Sequence, residues 1–97
     1  MKFEWDPEKN EWLKDNRGIS FEEVVFHLSQ GDLWKISDHP DQETYPGQKI
    51  YFVIINSYIY LVPSINEEKN IFLKTIIPSR KATRDYKREV EEKGEIK

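Results

Sequence analysis

Lys49-Ile50-Tyr51-Phe52-Val53-Ile54-Ile55-Asn56-Ser57-Tyr58-Ile59-Tyr60-Leu61-Val62 is a block of aliphatic and aromatic residues interrupted once, at Asn56-Ser57. Residues of these types favour a pleated, half-buried surface, and a two-residue polar break between two such runs reads as a tight hairpin. Asn66 to Asn70 is a second polar turn and Ile71 to Ile77 a further strand, so the middle of the chain is an antiparallel meander. Pro63, which has no N–H to give to a ladder, is expected near an edge or a bulge.

Upstream, the language is helical. Asp6-Pro7 is an opening pair, a side-chain acceptor at the N-cap followed by a proline whose missing N–H has no role at N1. This first helix should run to about Arg17 and stop at Gly18, where a left-handed residue is needed. Ser20-Phe21-Glu22-Glu23 has the spacing of a capping box, and Phe21, Val24, Val25 and Leu28 behind it share one helical face. Gly31 closes that second helix. Phe3 to Trp5 and Leu33-Trp34-Lys35-Ile36 read as short strands, Asp38 to Gly47 as a loop, and Ala82 to Glu92 as a last helix whose Tyr86 and Val90 suit packing on the sheet. The tail, Lys93 to Lys97, is expected to fray. The resulting fold class is α+β: an antiparallel sheet of four to five strands with two N-terminal helices and one C-terminal helix, in a single domain over residues 1–97.

Composition narrows the chemistry. In 97 residues, 37% are hydrophobic and 34% charged, so the core is modest and leans on aromatics. With no cysteine, disulfides, thiol catalysis and thiolate metal sites are excluded. Neither a signal-peptide core nor a run of about 18 apolar residues is present, which leads to the expectation of a cytoplasmic protein with no membrane partner. His27 and His39 lie on different elements and match no metal-ligand spacing, so no metal and no cofactor are expected. No serine occupies a nucleophile elbow, and the four glycines form no phosphate-cradling loop.

Charge is distributed unevenly. Net charge is −3, and the first 47 residues hold eleven acids and five bases, yet Lys74 to Arg88 holds six bases and one acid, Asp85. A cationic cluster on an acidic background is a local device, which makes a phosphate-bearing partner the first hypothesis. Arg84, Lys87 and Arg88 fall at i, i+3 and i+4 of the last helix, while Arg80 and Lys81 sit at its start, where backbone N–H groups add partial positive charge. Guanidinium forks could hold a phosphate there and stabilise charge on a pentacoordinate phosphorus attacked by a 2′-OH. A proton acceptor would be needed; Tyr86, His39 and the carboxylates are candidates that the sequence does not separate. The structural alternative is that Arg80 and Arg84 pair with Glu22, Glu23 or Asp85 and merely pin the helix.

Three blocks carry a family resemblance: Phe3-Glu4-Trp5-Asp6-Pro7-Glu8-Lys9-Asn10, then Gly18-Ile19-Ser20-Phe21-Glu22-Glu23-Val24, then Ser79-Arg80-Lys81-Ala82-Thr83. In this order and over nearly the whole chain, they resemble the BrnT family of toxins from type II toxin–antitoxin systems. The resemblance implies a RelE-like ribonuclease fold and an RNA-cleaving toxin that inhibits translation. It also implies a cognate antitoxin with a ribbon-helix-helix DNA-binding part, and operator DNA reached only through that antitoxin. Carried over by position are Arg80 and Lys81 from the third block and Lys9 and Arg17 from the first helix and its end. With the other basic residues added on charge, the catalytic candidates are Arg80, Lys81, Arg84 and Arg17, and the RNA-binding candidates are Lys9, Lys14, Lys49, Lys87 and Arg88. The chain has Asn16-Arg17-Gly18 where the family commonly has Lys-His-Gly, and the competing expectation is a non-catalytic module that binds an antitoxin and tunes operon repression.

Overall fold

A computed structural model describes residues 2–94. The chain begins with strand β1 (Lys2–Glu4) and two helices, α1 (Pro7–Arg17) and α2 (Phe21–Ser29). Strands β2 (Leu33–Asp38), β3 (Gln48–Ile55), β4 (Tyr58–Asn66), β5 (Asn70–Leu73) and β6 (Ile77–Pro78) follow, and helix α3 (Arg80–Gly94) comes last. The α+β class and the three helices are as expected from the sequence. The sheet differs: it has six strands and is mixed, ordered β1-β5-β4-β3-β2 with β6 also on β4. β1 runs parallel to β5, with Phe3 opposite Ile71, because two helices and most of the meander separate them and can act as a crossover. The frayed tail expected from the sequence falls partly outside the described residues, at 95–97, while Lys93 and Gly94 are still in α3.

Local chemistry places the helix ends. Asp6 accepts the Glu8 N–H at 2.9 Å, and Gly18 takes φ 64° and sends its N–H to the Leu13 carbonyl. Ser20 and Glu23 form both halves of the capping box. The β3–β4 hairpin turns through Asn56 and Ser57, both left-handed at φ 53° and 64°, the backbone twist that suits a two-residue connection.

Residues paired across a ladder share a face of the sheet. One face presents Tyr51, Val53, Ile55, Val62, Ile71 and Leu73, which pack with Leu13, Phe21 and Val24 of α1 and α2 into the main core. The opposite face presents Phe52, Ile54, Ile59 and Leu61, and α3 lies across its hairpin end. Pro63 sits in an inner strand, but at the break between β5 and β6, where the Lys74 N–H reaches its carbonyl at 2.8 Å. Its missing donor therefore points into the interruption of the ladder rather than toward β3, since a residue's N–H and C=O face the same neighbour.

Candidate functional site

The start of α3 is fixed by two hydroxyls. Ser79 caps it, its Oγ accepting the Ala82 N–H at 3.0 Å and its carbonyl accepting the Thr83 N–H at 3.0 Å. Buried Thr83 donates its hydroxyl to the Ser79 carbonyl at 2.7 Å and accepts the Ile59 N–H at 2.8 Å. The first turn of the helix is thereby tied to β4, and the direction of every later side chain on α3 follows from it.

Arg80, Arg84, Lys87 and Arg88, at i, i+4, i+7 and i+8, consequently line one open groove of about 440 Å³ together with Tyr58, Thr83 and Glu91. The basic stripe extends roughly 12 Å along the helix at 1.5 Å per residue. All four basic residues are exposed, and none has a hydrogen bond or ion pair to another described residue. The acids that might have pinned them are engaged elsewhere. Glu22 accepts the Asn10 amide at 2.7 Å, a hydrogen bond that holds its carboxyl below the ordinary value. Glu23 completes the α2 cap, and Asp85 pairs with Lys81 at 3.4 Å.

The other candidates are dispersed. Lys81 follows Arg80 in sequence but turns about 100° around the helix axis, into a second groove of about 260 Å³ lined by Trp34, Lys35, Phe52, Leu61 and Asp85. Arg17 donates to the Ile76 carbonyl at 2.6 Å and lies 5.1 Å from the centre of the Trp12 ring. Lys9 lies 4.4 Å from the centre of the same ring. Lys14 pairs with Glu11 at 3.1 Å, and that hydrogen bond raises its ammonium pKa. Lys49 pairs with Asp38. None of Arg17, Lys9, Lys14 and Lys49 lines the α3 groove.

Among the proton acceptors suggested by the sequence, His39 accepts the Asp41 N–H and stacks against Tyr45 in its own loop. Tyr86 packs edge-on against Trp34 at 5.4 Å. Val90, expected on the sheet, is 46% exposed; Trp34 instead meets this part of α3 through an indole N–H donated to Glu89 at 2.7 Å. The groove's phenol is Tyr58, which sequence reading passed over. The available signal was its place as the first residue after the Asn56-Ser57 turn, at the hairpin end that borders the groove; its ring meets Tyr60 at 5.6 Å on the sheet face shared with Ile55. Four cations against the single carboxylate of Glu91, with one phenol beside them, leave the groove net positive, able to neutralise a phosphate and exchange a proton next to it. Among the described residues, no three histidine, aspartate or glutamate side chains are grouped to hold a metal ion. No family model matches the chain, and no curated protein or solved structure matches it.

Proposed function

We propose that this protein is a ribonuclease toxin of RelE-like fold that needs no metal, cuts RNA to inhibit translation in the cytoplasm, and is neutralised by a cognate ribbon-helix-helix antitoxin. The observation that carries this reading is the stripe of Arg80, Arg84, Lys87 and Arg88, four basic side chains without acidic partners around one groove. Leaving four like charges together opposes folding slightly through self-repulsion and gives no packing in return, which is reasonable where a polyanion is to be bound. In this reading Arg80 and Arg84 hold the scissile phosphate, Lys87 and Arg88 hold flanking phosphates, and Tyr58 exchanges the proton at the reacting oxygen. The three-block resemblance to BrnT toxins supports the same class.

A second reading, a non-catalytic module that binds an antitoxin and tunes operon repression, is favoured by the eleven acids against five bases in the first 47 residues, a surface suited to a basic partner segment. Inducing the gene alone in a bacterium separates the two. The toxin arrests growth with RNA decay; the module leaves growth normal. Arg80→Ala and Arg84→Ala should each relieve the arrest while the melting temperature stays constant. A charged, forked contact contributes about 1.5–3 kcal/mol, and Arg80→Lys should recover little, since a point charge does not reproduce the fork. Full toxicity in both alanine variants would remove the phosphate site from the proposal.

A further inference from the structure

The second groove lies on the other flank of α3 and has a different chemistry. An irregularity in the β2–β3 register, between Leu33 and Lys35, gives β2 one residue more than β3 at that point. A bulge of this kind re-aims side chains, and here both Trp34 and Lys35 meet Phe52 on the face that carries α3. The Trp34 ring is edge-on to Phe52 at 5.8 Å and to Tyr86 at 5.4 Å. Its own face is covered at the centroid by the Lys35 ammonium, 4.3 Å away. Lys35 is exposed and is absent from every ion pair found among the described residues, and Lys81 stands across the groove. An aromatic face covered only by a long cationic side chain becomes available when that side chain swings aside, whereas one covered by packed core does not.

We propose that this groove is a nucleobase subsite for single-stranded RNA. An unpaired base stacks on the Trp34 face, Lys35 moves from the ring to an adjacent phosphate, and Lys81 exchanges its 3.4 Å pairing with Asp85 for the strand as it crosses the start of α3. The two grooves are separated by the body of one helix, about 10 Å across, so one strand can occupy both. The polymer's identity rests on the ribonuclease reading, while the stacking geometry stands on the structure of the groove itself. Base–aromatic stacking tolerates any base, so the subsite adds affinity and register without sequence preference.

The test uses the full chain and a short 2′-O-methylated RNA, which cannot be cut by attack of its own 2′-oxygen, followed by nitrogen-15 NMR. Trp34 is one of three tryptophans, and its indole N–H, the donor to Glu89, serves as the reporter. Saturation should shift this signal together with the Arg84 and Lys87 amides. The same oligonucleotide with one abasic position should shift the α3 amides alone and bind roughly 5- to 100-fold more weakly. Trp34→Leu should erase that difference between intact and abasic strands. Lys35→Ala, an exposed change that leaves the fold intact, should lower the slope of log affinity against log salt by about 0.7, the loss of one phosphate contact on a single strand. Equal affinity for the intact and abasic strands, or a static Trp34 signal while the α3 amides move, would overturn the subsite and leave the phosphate groove standing. No shift anywhere on saturation would overturn both.

Discussion

Helices α1 and α3 are both rich in charge, and they use it in opposite ways. On α1 every basic side chain is engaged: Lys9 and Arg17 against Trp12, Lys14 with Glu11, and Arg17 also with the Ile76 carbonyl. Of the five basic residues of α3 that line the two grooves, only Lys81 has a partner among the described residues, and Arg80, Arg84, Lys87 and Arg88 remain open on one side. Where a cation already has a ring or a carbonyl to satisfy it, a phosphate must displace an interaction before it can bind. Where it has none, binding starts from solvent. Charge counts alone do not separate these cases; partners do.

This contrast can be broken by substitutions on the α1 side. The largest expected effect is at Leu13, which is fully buried in the core between α1, α2 and the sheet. Leu13→Ala should destabilise by about 3 kcal/mol, lowering the melting temperature by roughly 12–24 °C for a domain of this size. Toxicity should fall only in proportion to the folded fraction. Arg17→Ala is the sharper probe, because the sequence pointed to Arg17 as a catalytic candidate. Loss of its hydrogen bond to Ile76 should destabilise by about 1 kcal/mol, again with toxicity unchanged per folded molecule. A fully folded Arg17→Ala protein without toxicity would bring α1 into the chemistry and end the contrast.

The smallest effect is a pH dependence at Glu22. Its carboxyl lies below the ordinary 4.5, chiefly because it accepts the Asn10 amide. A group whose folded pKa is depressed adds stability above its unfolded value and loses it as pH falls through the folded one. The thermal stability of wild type should therefore fall from about pH 4.5 downward, and Glu22→Gln should flatten that part of the profile slightly, since the side chain is exposed. An identical acid profile in both proteins would show that the Asn10 bond does not bias this carboxylate.

What the sequence made legible was local. Asp6-Pro7, Gly18, the Ser20/Glu23 box and the Asn56-Ser57 turn each act within a few residues, so their side chains alone specify the geometry. The parallel pairing of β1 with β5 and the short β6 depend on contacts between distant segments, which no local spacing encodes. The α3 groove was half legible. Helical spacing gathered Arg84, Lys87 and Arg88 correctly, but the separation of Lys81 from Arg80 depended on where the Ser79 cap sets the helix rotation. The place of Tyr58 after the turn was readable, but that it and the bulged Trp34 border α3 depends on how β4 and β2 lie beside that helix.

The pairing of Lys2 with Asn70 also has a kinetic side. Closing so long a loop is entropically slow, and proteins dominated by distant contacts fold later than those built from neighbouring ones. During synthesis, β1 finds no strand until residue 73 has cleared the ribosome, and the walls of the α3 groove do not all exist before residue 91. A nascent chain that has made both N-terminal helices therefore still lacks the assembled cationic groove. Under the toxin reading proposed above, that ordering delays the phosphate-binding surface until most of the chain is complete.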